Sequence, residues 1–473
     1  MMTLAEAIKL MALRDKAHAA GEARFESVGT DSRAIAPGQL FVALRGERFD
    51  GHDFVEASLA AGAAAVMVDA RWETEHGESS APRLVVEDTR LALGALAAGW
   101  RARFDIALIG ITGSNGKTTV KEMCASILRA WFGHDDAVLA TRGNLNNDIG
   151  LPLTLLGLRA HHRAAVIEMG MNHPGEISVL TGWARPTVAL VNNAQRAHLE
   201  GMVSLEAVAR EKGCIYEGLG DGGVAVVNAD DDYADEWREK NIRAGRKTVS
   251  FSMKGMPAAV LGRCALRGLE STLHLETLWG QAECVLRMPG NHNALNALAA
   301  ATACLYAGAP LTAVTAGLSS CDGARGRLQR RAGPRGALIL DDTYNANPDS
   351  VRAGIDVLAS MPGRKVLIFG DMGEVGEVSA AAHSEIGNHA WSQGVDRLCT
   401  LGVMSEKATK QFCARGQDGQ HFSSVEALVE ALAPSLGADD TVLVKGSRFM
   451  RMERVVEALI ALADPVPHSG GKS

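Results

Sequence analysis

The stretch that most limits how this chain folds is Gly110-Ile-Thr-Gly113-Ser114-Asn115-Gly116-Lys117-Thr118-Thr119. It follows the apolar run Ile106–Ile111 and precedes a segment whose pattern predicts a helix from about Lys117. Strand, glycine-rich turn and helix in that order bring backbone N–H groups and a helix N-terminus against a phosphate. In such a loop Lys117 contacts the β- and γ-phosphates, and the Thr118 hydroxyl faces Mg²⁺. The general pattern GxxxxGK[ST] requires glycine at position 111, where this chain has Ile111, so the loop is a variant, GxxGxxGKT. No NKxD element is present to read guanine, which argues against a GTPase switch.

Around the loop, apolar runs alternate with helical patterns, the signature of α/β architecture. A chain of 473 residues suggests about three domains. We place them at 1–103, 104–322 and 323–473, the second boundary falling in the Gly- and Arg-rich stretch Ser319–Gly336. Strands are expected at Gln39–Leu44, Ala64–Val68, Ile106–Ile111, Ala164–Glu168, Val188–Asn192 and Val224–Asn228. In the third unit they are expected at Ala337–Asp341, Lys365–Phe369, Arg397–Leu401 and Thr441–Val444. Asn291–Tyr306 reads as a helix, Glu73–Pro82 as a polar loop outside any core, and Asp464–Ser473 as a mobile tail.

With a formal net charge of −7, the chain lacks the basic excess that a general nucleic-acid or anionic-membrane surface needs. Its eight cysteines form no CxxC pair, which removes support for a zinc knuckle or a redox pair. No apolar run approaches the roughly 18 residues of a membrane span. Glu6, Lys9, Arg14 and Asp15 interrupt any signal-peptide core. The expectation is a cytoplasmic protein, monomeric, with no nucleic-acid or membrane partner.

Beyond the loop, several motifs recur in order. They are Gly143-Asn-Leu-Asn-Asn-Asp-Ile-Gly150, Glu168-Met-Gly-Met-Asn172, Ala197-His198-Leu-Glu200 with Ala209-Arg-Glu-Lys212-Gly213, and Gly290-Asn-His292-Asn293. Further on come Asp342-Thr-Tyr344-Asn345-Ala-Asn347-Pro348, Gly370-Asp-Met372 and Lys445-Gly-Ser-Arg448. Together with Thr112–Thr119, this series resembles the Mur ligase family of ATP-dependent enzymes that build the peptide of the cell-wall precursor. Within it the match is to the branch that adds D-alanyl-D-alanine to UDP-N-acetylmuramoyl-tripeptide. The resemblance implies a central P-loop ATPase-type domain with a mostly parallel sheet. Flanking it would be an N-terminal α/β domain for the UDP substrate and a C-terminal Rossmann-like α/β domain.

It also implies roles for single residues. ATP would be held by Gly113, Ser114, Asn115, Gly116, Lys117, Thr118 and Thr119 of the loop, with Asn293, Asn296, Arg327 and Asp342 completing the nucleotide site. Mg²⁺ would be held by Thr118, Glu168 and His198, and by Lys212 if that lysine carries a carbamate. Lys117, His198, Lys212 and Arg327 would serve the reaction. Substrate contacts would come from Asn144, Asn146 and Asn147 and, for the dipeptide, from Tyr344, Asn345 and Asn347. In the first unit, Ser32, Arg33, Asp50, Gly51 and His52 would face the uridine diphosphate sugar.

Residue types alone leave alternatives. Asp31 and Ser32 suit a turn cap, Asp50-Gly51 a hairpin turn, and Asn291 a helix cap. Lys212, beside Arg210 and Glu211, reads equally as an exposed helix cation. The sister ligases that add the third residue usually carry an Asp-Asn-Pro-Arg segment, which this chain lacks. A nucleotide-gated binding module is the reading from a different class.

Overall fold

Strands buried on both faces need apolar side chains on both, and parallel sheets supply that environment. Ala107–Thr112, Ala164–Glu168, Val188–Val191 and Val224–Asn228 are such strands, and they form the middle of the central sheet. The computed structural model describes residues 1–12, 17–77 and 79–463. The tail expected to be mobile, Asp464–Ser473, lies outside the described residues.

Three large sheets follow one another along the chain. The first has five strands in the order Ala17–Ala20, Arg83–Val86, Ala65–Asp69, Gln39–Val42 and Ser27–Gly29, with only Ala17–Ala20 antiparallel. The second has nine. Its parallel part places Ala107–Thr112 between Ala164–Glu168 and Val188–Val191, with Glu168 opposite Ile111 and Val191 opposite Thr112. The third has six strands, Gln329–Ala332, Leu338–Asp342, Asp440–Lys445, Arg364–Gly370, Arg397–Leu401 and Asp418–Phe422, antiparallel only at Gln329–Ala332. The α/β expectation holds throughout.

Two differences from the sequence reading have local causes. Glu73 is not in a loop but on helix Ala70–His76, where it grips the Arg83 guanidinium at 2.6 and 2.9 Å. That guanidinium is buried, and the carbonyls of Ser79, Ala81 and Gly77 take its remaining donors. The other is an unforeseen antiparallel meander, Val260–Arg267, Glu270–Thr277 and Gly280–Leu286, which extends the central sheet. Two-residue turns, Gly268-Leu269 and Leu278-Trp279, connect its strands.

The two junctions between units differ in kind. Helix Thr89–Arg101 of the first unit packs directly on the central one, and a single buried cluster runs from Met2 through Trp100 to Trp237. Gly94 lies so close to Trp183 that an added Cβ would sit 2.1 Å from the indole, and Trp100 Nε1 donates to the Leu158 carbonyl at 3.1 Å. The third unit instead has its own cores on the two faces of its sheet, around Leu358 and Phe369 on one and Ile339 and Leu459 on the other.

Candidate active site

The central sheet reverses its strand order at Ala107–Thr112, and the carboxyl ends beside such a reversal form a crevice where ligands bind. Gly110 belongs to the strand, so the turn proper is Gly113–Gly116. Helix Lys117–Phe132 starts at Gly116, whose φ of 80° lies in the left-handed region. A Cβ there would meet Asn296 Oδ1 at 2.3 Å, so glycine is required on both counts. The loop is braced from the next strand end. Asn115 N donates to Asn193 Oδ1 (2.9 Å), Gln195 N to Ser114 Oγ (2.9 Å), and Asn192 Nδ2 to the Asn115 carbonyl (2.9 Å). Lys117 Nζ donates to the Gly113 carbonyl at 2.6 Å. Burial pushes its ammonium below the ordinary lysine range, and Glu168 opposes that shift.

A cleft of ≈ 520 Å³ opens over this edge. Its lining unites Ser114, Asn115, Gly116, Lys117, Thr118, Asn144, Asn146, Asn147, Glu168 and His198 with Arg327, Tyr344, Asn345 and Asn347 from beyond the second boundary. Glu168 is buried. Its Oε1 accepts from Asn146 Nδ2 at 2.8 Å, while its Oε2 is buried with no hydrogen-bond partner. A buried carboxylate oxygen left unsatisfied in the cleft that Thr118 also lines suits a hard cation with oxygen ligands. His198 has a left-handed backbone (φ 57°), and its Nδ1 lies 2.7 Å from Glu374 Oε2 of the third unit. Contact with His198 lowers the Glu374 carboxyl from its ordinary value.

Lys212 is not an exposed helix cation. It sits at 1% exposure on helix Leu205–Gly213 and, among the described residues, makes no ion pair or hydrogen bond through its ammonium. Burial, with Lys117 adding repulsion, drives its pKa well below the ordinary lysine value. Its neighbour Glu211 is occupied elsewhere, accepting from the backbone N–H groups of Gly175 (2.9 Å) and Ile177 (2.8 Å). Lys212 is not among the residues that line the cleft.

Adjoining the loop on its other side is a smaller recess of ≈ 120 Å³, which brings Gly116, Thr119, Asn293, Asn296, Arg327 and Asp342 together. The asparagines are engaged with one another. Asn296 Oδ1 accepts from Asn192 Nδ2 (2.8 Å), Asn296 Nδ2 donates to Asn293 Oδ1 (3.3 Å), and Asn293 Nδ2 donates to the Pro289 carbonyl (2.9 Å). Asp342 forms a buried pair with Lys445 at 2.6 Å, and Lys445 also donates to the Asn345 carbonyl at 3.0 Å. That lysine therefore fixes the Tyr344–Asn347 turn. The Arg327 guanidinium stacks on Tyr344 with 4.3 Å to the ring centroid, and its Nε is buried without a partner.

Asn347 lines the cleft and its amide is also engaged by the protein. Its Oδ1 caps helix Pro348–Ala359 by accepting from Ser350 N (2.9 Å), and its Nδ2 donates to Asn115 Oδ1 (2.8 Å). The amide thus ties the third unit to the phosphate loop. The five first-unit residues stand apart from the central cleft. Ser32 and Arg33 lie on the turn Ser32–Ala34, where Asp31 accepts from Arg33 N (3.0 Å) and pairs with its guanidinium (2.8 Å). Asp50 caps the turn Gly51–Phe54, and His52 is buried between Asp50 Oδ1 (2.6 Å) and the Asp69 N–H (3.1 Å). From the first unit it is Arg90 that reaches the cleft, paired with Asp148 at 2.5 Å. Arg90, Arg196, Glu374 and Lys445 are four residues around the site to which sequence reasoning gave no role. Of these four, only Lys445 lay in a motif already singled out.

Three family descriptions match the chain: Mur ligase family, catalytic domain, over residues 24–101; Mur ligase middle domain over 111–304; and Mur ligase, glutamate ligase domain, over 326–448. The chain is 43% identical over 441 residues to the UDP-N-acetylmuramoyl-tripeptide–D-alanyl-D-alanine ligase of Escherichia coli (strain K12), covering 92% of this chain and 93% of that one. It is 34% identical over 443 residues to the ligase of the same name from Bacillus subtilis (strain 168), with 92% and 93% covered. Among solved structures it is similar to MurF from Acinetobacter baumannii, with a TM-score of 0.86, 34% identity, and 97% and 99% of the two chains covered. The MurF ligase from Thermotoga maritima in complex with ADP superposes with a TM-score of 0.78 at 27% identity, with 92% and 97% covered.

Proposed function

The chain belongs to the Mur ligase family, and we propose that its cleft joins a carboxylate to an amine through an acyl phosphate. It is an ATP-dependent ligase that adds D-alanyl-D-alanine to UDP-N-acetylmuramoyl-tripeptide in peptidoglycan precursor synthesis. We place it in the cytoplasm, acting through three units, 1–103, 104–322 and 323–473.

A carboxylate resists attack by an amine because oxide is a poor leaving group. In the proposed first step, the tripeptide carboxylate attacks the γ-phosphorus of ATP, the bond to the β-phosphate oxygen breaks, and ADP leaves. The amine of the dipeptide then attacks the acyl phosphate, and the tetrahedral adduct expels orthophosphate to leave an amide. Negative charge grows on oxygen in both steps, so Lys117 and Arg327 act by electrostatic stabilisation from fixed positions. Arg327, with its buried unpartnered Nε, has donors free for a charge-dispersed phosphoryl group.

Mg²⁺ would be held by Thr118, Glu168 and His198, with a Lys212 carbamate in support, and would neutralise phosphate charge there. Asn293 and Asn296 keep the loop in shape beside the recess that we assign to the adenine, and Asp342 acts through Lys445. Asn144, Asn146 and Asn147 would contact the muramoyl peptide, and Tyr344, Asn345 and Asn347 the dipeptide. The uridine diphosphate end is assigned to the first unit, with Ser32, Arg33, Asp50, Gly51 and His52.

What carries this reading is one cleft in which the phosphate loop, the unsatisfied Glu168 oxygen, Arg327 and the Tyr344–Asn347 turn converge. The test is orthophosphate release with ATP, omitting each acceptor in turn. Release is expected only with both the UDP-muramoyl tripeptide and D-alanyl-D-alanine, and not with single amino acids. Equal release without them would replace the ligase reading with a nucleotide switch.

A further inference from the structure

We propose that Arg196 is a positioning residue for this ligation: it grips two carboxylates of the third unit and so docks that unit on the phosphate loop. The proposal rests on the ligase reading above. Arg196 follows Gln195, whose N–H and carbonyl both bond Ser114 Oγ, so its backbone is anchored to the loop itself. Its Nε and Nη2 lie 3.0 and 2.6 Å from Asp349 Oδ1, and its backbone N–H donates to Asp349 Oδ2 at 2.9 Å. Its Nη1 and Nη2 reach Glu385 at 2.8 and 3.1 Å, where Arg352 joins at 2.7 Å.

The two carboxylates come from different helices, Pro348–Ala359 and Ser379–Ser392, so the guanidinium fixes an orientation as well as a distance. Asp349 is two residues from Asn347, whose amide is bonded to Asn115. One helix N-terminus therefore meets the loop region at two adjacent points, a hydrogen-bonded amide pair and a forked ion pair. An isolated surface ion pair contributes about 0–1 kcal/mol. Here the fork is planar and makes paired bonds to each of two acids, a geometry that an ammonium cannot reproduce. The third unit carries Tyr344 and Asn345 into the cleft, so a tilt about this seam would move the dipeptide against the acyl phosphate.

The test compares Arg196→Gln, Arg196→Lys, Glu385→Gln and the Arg196→Gln/Glu385→Gln pair in full-length protein, with thermal melting to show that each folds. Each single glutamine variant should lose kcat/KM for D-alanyl-D-alanine by roughly 10- to 100-fold, the size that a small misplacement of reacting groups produces. The double variant should lose little more than the worse single, and Arg196→Lys should not restore activity. Raising the salt concentration should depress kcat/KM of the wild type more steeply than that of Arg196→Gln, since only the wild type has this pair to screen. Wild-type kcat/KM in the two glutamine singles, or losses that multiply in the double, would overturn the proposal. It would fall alone if the unaltered enzyme still needed both acceptors to release phosphate.

Discussion

A lysine shut away from water without an acidic partner is costly as a cation and inexpensive as a neutral amine. Lys212 meets that description at 1% exposure. Its pKa is driven well below the ordinary value, chiefly by burial, so the amine is neutral at lower pH than a surface lysine and open to reaction with CO₂. In the presence of ¹³C-bicarbonate, the wild type should show a carbamate carbon resonance that Lys212→Ala lacks. The same variant should lose about 10- to 100-fold in kcat, as expected when a group supporting a metal is removed. Short carboxylates should restore part of the loss. Normal activity in Lys212→Ala would sink the assignment. The sequence could not reveal this burial, because Glu206, Arg210 and Glu211 give the helix a polar reading and the cover comes from elsewhere. Glu168 was legible, since a carboxylate ending the apolar run Ala164–Ile167 must emerge at the sheet edge. Glu374, which lines the same cleft, was not, because only the docking of two units brings it to His198.

Helix Lys117–Phe132 offers an internal control on what a glycine contributes. Gly116 at its start has φ 80° and Gly133 at its end has φ 78°, so alanine at either bears the same backbone cost of about 1–2 kcal/mol. Around Gly133 nothing lies within 4 Å of an added Cβ, whereas at Gly116 the Cβ would strike Asn296 and Asn192. Gly133→Ala should therefore lower thermal stability and leave ADP affinity within about twofold, while Gly116→Ala should weaken ADP by at least about tenfold, a 1.4 kcal/mol effect. Isothermal titration with ADP separates the two, and equal affinities would show that the loop does not need this contour. The start of this helix was legible. Lys117–Phe132 begins where the glycine loop ends, and Asn291–Tyr306 and Ala164–Glu168 match their expected bounds. The meander Val260–Leu286 was missed because its outer strand positions carry Arg263, Glu276 and Gln281 between scattered apolar residues. Its signal was the pair of two-residue turns.

Across the whole molecule, the two junctions predict two kinds of stability. The first and central units share one apolar cluster, so they should unfold together, while the third unit has separate cores and meets them through ion pairs, amides and the packing of Leu269 on one of those cores. A chain of this kind need not melt in one step. Trp100→Ala removes a buried ring from the first junction and should cost about 3–5 kcal/mol in the transition of the first two units alone. Calorimetry of the full chain would read it, and an equal shift in every transition would contradict the division.

The other junction should respond to acid. In the docked form Arg196, together with Arg352, pulls the Glu385 carboxyl down from 4.5 to about 2. A depressed folded-state value means that docking is favoured at full strength above the free value and loses that contribution as pH falls from 4.5 toward 2. Small-angle scattering between about pH 6 and pH 3 should show the wild type opening below the free value, ahead of any loss of helix signal. Glu385→Gln has no proton to take up at that position, so its radius should be larger from the start and change less than the wild type's across the same window, where the Glu374 carboxyl beside His198 still titrates. If both proteins follow one curve, the Glu385 carboxylate does not hold the third unit in place.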